Sequence, residues 1–151
     1  MDKIAKSLAS LFGLGYLKPM PGTYASLMVF AGGYFLKPYF NFVTGLTLLL
    51  ALLVLAFIAI DFTIKNLADK DPSWIVIDEA LGVILILLFI PDILAYFILA
   101  LVIFRILDAG KIWPLNLLNK IKTPFGVIVD DLAAGLITIL LVKLFYWWGI
   151  F

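Results

Sequence analysis

Val127-Ile128-Val129-Asp130-Asp131-Leu132-Ala133-Ala134-Gly135 places two adjacent carboxylates in a segment otherwise apolar enough to enter a bilayer. An ionised Asp near the middle of a membrane helix costs roughly 3 kcal/mol on insertion scales. Two side by side require a cation, a metal or nearby water to offset that cost. A second pair, Asp78-Glu79, lies in Trp74-Ile75-Val76-Ile77-Asp78-Glu79-Ala80-Leu81-Gly82. Each pair follows a proline, Pro72 or Pro124, after five intervening residues. The pattern points to an acidic, metal-binding site at a membrane face.

The remaining composition agrees. Of 151 residues, 65% are hydrophobic, and the mean hydropathy is +1.18. Soluble domains are about 45–50% apolar, so a polytopic membrane protein is expected, with residues 1–151 forming a single integral-membrane domain. A net charge of +1 argues against nucleic acid as a partner. The chain has no Cys and no His, which excludes thiol nucleophiles, His- or Cys-based zinc sites and His-dependent triads. Oxygen ligands remain, and these favour hard cations such as Mg²⁺ or Mn²⁺.

Outward from the acidic pairs, helical periodicity and punctuation divide the chain. Residues 2–12 set Ile4, Leu8, Leu11 and Phe12 against Lys3, Lys6, Ser7 and Ser10, the pattern of an N-terminal interfacial helix. After a Gly- and Pro-rich loop, Thr23 is placed to cap a helix over Tyr24–Leu36. Residues 42–60 read as a membrane helix, followed by a polar stretch from Asp61 to Asp71. Asp71-Pro72 is a start signal, a cap followed by proline, for a helix to Ile90. Pro91-Asp92 breaks it, Ile93–Asp108 forms the next, and 109–123 is a loop. Thr123-Pro124 starts the last helix, which ends at Trp147 or Trp148. The fold class is thus an all-α bundle of about five short transmembrane helices.

Charge decides how residues 72–108 run. As a hairpin turning at Pro91-Asp92, with the N-terminus inside, they leave Lys3, Lys6, Lys18, Lys65, Lys70, Arg105, Lys111, Lys120 and Lys122 on the cytoplasmic side. One kinked span would export four of these, against the positive-inside rule. The hairpin brings Lys18, Thr23, Asp78, Glu79, Arg105, Asp108, Lys111, Asp130 and Asp131 to one face. Asp78 and Asp130 would each lie about two turns inside their helices, roughly 10 Å from the start.

Five acids facing three cations suit a divalent cation bridging to a phosphate. Structural ion pairs would account for a lone Asp–Arg pair, but not for this excess of carboxylates. A small ion-coupled transporter, with the acidic pairs as its cation site, is the rival of a different class.

Four stretches in order resemble a bacterial family. They are Gly15-Tyr16-Leu17-Lys18-Pro19-Met20-Pro21-Gly22-Thr23-Tyr24-Ala25-Ser26-Leu27, Ile77-Asp78-Glu79-Ala80-Leu81-Gly82, Phe104-Arg105-Ile106-Leu107-Asp108-Ala109-Gly110-Lys111-Ile112-Trp113-Pro114 and Gly126-Val127-Ile128-Val129-Asp130-Asp131-Leu132-Ala133-Ala134-Gly135. The family is the phosphatidylglycerophosphatase A lipid phosphatases. The resemblance implies a Mg²⁺-dependent enzyme of the bacterial inner membrane, acting at its cytoplasmic face on phosphatidylglycerophosphate. The products would be phosphatidylglycerol and inorganic phosphate. It points to Asp78, Glu79, Asp108, Asp130 and Asp131 as catalytic and metal-site acids, and to Arg105 and Lys111 as phosphate partners, with Lys18 and Thr23 beside them. Two departures concern loop shape: Lys111-Ile112-Trp113-Pro114 stands where relatives carry Lys-Pro-Trp-Pro, and Ala25 where they favour Gly. Direct attack by water and an aspartyl-phosphate intermediate both fit this residue set.

Overall fold

A computed structural model describes residues 2–65, 67, 69, 72–110, 115–118, 121 and 123–149. Helices account for the regular structure among them: α1 (Asp2–Ala9), α2 (Pro21–Leu36), α3 (Phe42–Ile64), α4 (Ile77–Phe89), α5 (Leu94–Gly110), α6 (Leu115–Leu118) and α7 (Pro124–Trp147). At 1.5 Å per residue, α3 and α7 reach about 35 Å, enough for a hydrocarbon core of about 30 Å. They are the two described helices long and apolar enough to cross a membrane. The outer face of α3 exposes Val43, Leu50, Val54, Phe57 and Ile58, a surface that lipid accommodates and water does not.

Several boundaries follow local chemistry. Asn41 caps α3 by accepting from Thr44 N at 2.8 Å, and Thr123 caps α7 by accepting from Gly126 N at 3.2 Å. The α3 helix runs past the expected end at residue 60 because Asp61 and Lys65, paired at 2.7 Å, make the added turn favourable. Conversely, Leu11, Phe12 and Gly13 take positive φ and stop α1 short of residue 12. A short helix, α6, interrupts the stretch expected to be wholly loop.

Two helix starts differ from expectation. In α2, Pro21 occupies the first turn and Met20 the cap position, so Thr23 lies inside the helix and caps nothing. The start of α4 moves five residues, from Pro72 to Ile77. Instead of helix, Ile75 N bonds Pro72 O at 2.9 Å, and Val76 N bonds the carbonyl of Ala9 at 2.9 Å. Tyr16 stacks on Trp74 with ring centroids 5.6 Å apart. These tertiary partners outweigh a local helix-start signal. Asp71, the expected cap, lies outside the described residues, as do Lys70, Lys111, Lys120 and Lys122.

The buried face of α1 is also not the one expected. Ala5, Ala9 and Ser10 are buried, while Ile4 and Phe12 are exposed. Small side chains let α1 approach α3 closely, and Ala9 joins Ile60, Ile64, Ile77 and Leu81 in one apolar cluster. A second cluster gathers Phe30, Val83, Ile86, Phe97, Ala100, Phe104 and Val142. The α4 helix contributes to both and is the centre of the bundle.

Its most extensive partner is α7. At their crossing, a Cβ on Gly135 would stand 3.0 Å from the Gly82 carbonyl oxygen, and one on Gly82 would stand 2.8 Å from that of Asp131. The same Gly82 Cβ would meet the Phe104 ring at 2.9 Å. The start of α4 thus lies beside the end of α5, so the chain doubles back at Pro91-Asp92 as a hairpin. Lys37 secures that turn, donating to Ile90 O at 2.8 Å and pairing with Asp92 at 2.5 Å.

Candidate active site

The glycine crossing positions the acids. Gly82 follows Asp78 by four residues and Gly135 follows Asp131 by four, so each acid sits one turn before the contact on its own helix. Asp78 and Asp131 are 6% and 4% exposed. Together with Glu79 they present carboxylate oxygens that all lie within 4.8 Å of one another. The two pairs meet at one depth by different routes. Asp130 and Asp131 lie two turns into α7, whereas Asp78 and Glu79 lie in the first turn of α4, carried inward by the non-helical segment before it.

The first-turn placement has an electrostatic benefit, because the positive end of the α4 dipole favours carboxylates. The first turn of α2 also meets the cluster. A Cβ on Gly22 would lie 2.0 Å from Glu79 Oε1 and 3.3 Å from Arg105 Nη1, so only glycine allows so close an approach here. Glu79 Oε2 is buried and finds no hydrogen-bond partner within the protein. A buried anionic oxygen left in this way is costly, and a cation among the three acids would offset it.

Around the cluster opens a cavity of about 530 Å³, walled by Asp69, Ser73, Asp78, Glu79, Arg105, Asp108, Asp130 and Asp131 with Met20, Pro21 and Gly22 at one side. Among the described residues that line it, Arg105 is the one cation facing six carboxylates. Arg105 donates through Nη1 to Asp108 and to Ser26 Oγ at 3.4 Å, while its buried Nε has no partner. Asp108 therefore orients Arg105, near the C-terminal end of α5 where a carboxylate alone would be unfavourable. The cavity suits an anion that brings its own divalent cation: hard oxygen donors, one fixed guanidinium and a free N–H.

The expected residues distribute unevenly. Asp78, Glu79 and Asp131 form the tight cluster, Asp130 lines the wall, and Asp108 is committed to Arg105. Thr23 stands beside Arg105 in an adjoining groove, its Oγ1 buried without a partner. Lys18 is exposed in the loop leading to Met20 and is not part of the lining, and Lys111 lies outside the described residues. Sequence reasoning passed over Asp69, which lies within the polar stretch from Asp61 to Asp71, and Ser26. Ser26 gave a usable signal, since it falls in the quoted stretch with Lys18 and Thr23. Asp69 gave none.

Comparison with known proteins shows which family the chain resembles. The family model described as phosphatidylglycerophosphatase A matches residues 7–146. A protein of Bacteroides thetaiotaomicron, provisionally named a phosphatidylinositol-3-phosphatase, is 31% identical over 90% of this chain and 89% of its own. A protein of Haemophilus influenzae named phosphatidylglycerophosphatase A is 30% identical, covering 93% of this chain and 88% of that one. A protein of the same name from Escherichia coli is 30% identical over 87% and 77%. No solved structure matches the chain.

Proposed function

The chain belongs to the phosphatidylglycerophosphatase A family and is a phosphatase; on that premise we propose that it hydrolyses the terminal phosphomonoester of phosphatidylglycerophosphate with Mg²⁺ at the cytoplasmic face of a bacterial inner membrane. The observation that carries this reading is the meeting of Asp78, Glu79 and Asp131 within 4.8 Å in a cavity shared with Arg105. The residues fit the ion: the donors are hard oxygens, and one buried carboxylate oxygen is left without a protein partner.

Asp78, Glu79 and Asp131 would hold Mg²⁺, which when bound supplies a Lewis acid that offsets phosphate charge. Arg105 binds the phosphate, with Asp108 and Ser26 fixing the guanidinium and leaving Nε free to donate. Lys18, two residues before the lining, adds positive charge from its loop, and Lys111, the residue after α5 in the sequence, is assigned to the phosphate as well. Asp130 lines the cavity outside the tight cluster and accepts the proton of the attacking water. The new P–O bond forms as the bond to the glycerol oxygen breaks, and that oxygen leaves as phosphatidylglycerol, taking a proton from solvent water while Asp130 returns its proton to solvent.

In this reading the five principal helices sit in the membrane, with α3 and α7 crossing it and the α4–α5 hairpin entering from the site's face. Phosphate release from phosphatidylglycerophosphate in detergent, with and without Mg²⁺, is the test. Faster release from phosphatidylinositol 3-phosphate would move the substrate to the class named for the Bacteroides protein. No release from either lipid, together with cation flux in proteoliposomes, would replace the enzyme with a transporter.

A further inference from the structure

A second opening adjoins the acidic cavity. Thr23, Leu101, Val102, Ile106 and Ala109 line a groove of about 660 Å³ between α2 and α5, and Arg105 belongs to both it and the cavity. The groove is open to the protein surface, and apart from Thr23 and Arg105 its lining is apolar. Along the same helix Leu94, Ile98, Val102 and Ile106 recur every fourth residue, and each is about half exposed. Residues four apart are neighbours on a helix surface, so these form an apolar ridge that winds about 120° around α5, with Val102 and Ile106 lining the groove beside Arg105. From Leu94 to Ile106 the track is about 18 Å long, close to the roughly 15 Å depth of one leaflet's hydrocarbon.

At its upper end stands Thr23, whose Oγ1 is buried and without a partner in the protein. A buried hydroxyl left in that way is costly, and a polar ligand group beside it would satisfy it. An apolar track, then a hydroxyl, then a guanidinium, then an acidic cavity is the order of groups needed by a lipid phosphomonoester: chain, ester-bearing backbone, phosphate, metal.

We infer that the α2–α5 groove is the lateral entry path and acyl-chain site of the lipid substrate, with Thr23 hydrogen-bonding the glycerol backbone. The inference rests on the phosphatase reading and deepens it: the lipid reaches the acids from within the leaflet, one chain lying along α5. Arg105 distinguishes this track from the apolar faces of α3 and α7, because their cations, Lys65 and Lys143, do not line the acidic cavity and Arg105 does.

The test uses the native protein and phosphatidylglycerophosphate carrying a diazirine midway along one acyl chain. Photolysis should place adducts on α5 between Ile98 and Ile106, suppressed by unlabelled phosphatidylglycerophosphate but not by excess phosphatidylcholine. Adducts spread over the outer faces of α3 and α7, or equally suppressed by both lipids, would overturn the groove. Independently, Val102→Trp should lower the ratio of kcat/KM for a dioleoyl over a dihexanoyl substrate at least tenfold, whereas Leu140→Trp, on the exposed face of α7, should not move it. An unchanged ratio for Val102→Trp would also overturn the groove. If the native protein releases phosphate from no lipid, the catalytic reading falls, while a selectively suppressed adduct on α5 would still stand for the groove.

Discussion

Gly82 and Gly135 touch backbone to backbone, and a Cβ on the second would stand 3.0 Å from the carbonyl oxygen of the first. That contact sets the spacing of the two helices that carry the clustered acids, so packing and chemistry share one determinant.

Gly82→Ala should therefore damage both. The added methyl would lie 2.8 Å from the Asp131 carbonyl and 2.9 Å from the Phe104 ring, so α4 must move away from α7. Overpacking of this kind costs about 1–3 kcal/mol, and displacing Asp78 from Asp131 should lower activity as well. Native melting and native kcat/KM together would show that the helices have slack at this point.

Asp131→Asn separates a metal ligand from a structural charge. Asparagine keeps nearly the same volume but lacks the anion, so phosphate release should fall by roughly 10²-fold or more, about 2.7 kcal/mol. Without metal the variant should melt no earlier than the native protein, because an uncharged group is cheaper to bury than a crowded carboxylate. The rise in Tm that Mg²⁺ gives the native protein should disappear. Early melting with Mg²⁺ dependence intact would instead mark Asp131 as a packing residue.

Arg105 and Ser26 should form a graded pair. Arg105→Lys loses the planar fork and the free Nε donor, so kcat/KM should drop by more than about tenfold, or 1.4 kcal/mol. Ser26→Ala removes only the 3.4 Å bond that steadies the guanidinium, worth about 0.5–1.5 kcal/mol, and should cost a few-fold. Steady-state kinetics on both variants checks the order. Equal losses would mean that Ser26 meets the substrate itself.

Membrane topology can be read by single cysteines, since the chain contains none. Asp69→Cys and Asn116→Cys should react with an impermeant maleimide from one side, and Asp92→Cys from the other. Labelling of Asp69→Cys and Asn116→Cys from opposite sides would dismantle the shared site.

Much of the bundle was legible where a single residue sets the local backbone. Thr123-Pro124 begins α7 where a cap and a proline dictate, and Pro91-Asp92 ends α4 because proline cannot continue it. The start of α4 was not legible. Pro72 carries the same kind of signal, but Ala9 and Tyr16, distant in sequence, claim the segment after it. The buried face of α1 was misread for a related reason: Ala5, Ala9 and Ser10 win the interior by smallness, which an apolar count does not register. The acids were visible as costly groups in an apolar chain, yet which three would converge depended on a glycine crossing. Glycines announce permission to approach, not the partner.

The bond from Val76 N to the Ala9 carbonyl ties the segment before α4 to residues made well before it, while Asp131 arrives later, on α7. Chains are made from the N-terminus, so α1 must wait for Trp74 and Val76, and Asp78 and Glu79 must wait for α7. A nascent chain that has not yet made α7 holds an unfinished acid cluster, lacking Asp130 and Asp131. If that cluster is the catalytic centre, phosphate release should begin only once α7 has docked, and the first phosphate released during synthesis would time that docking.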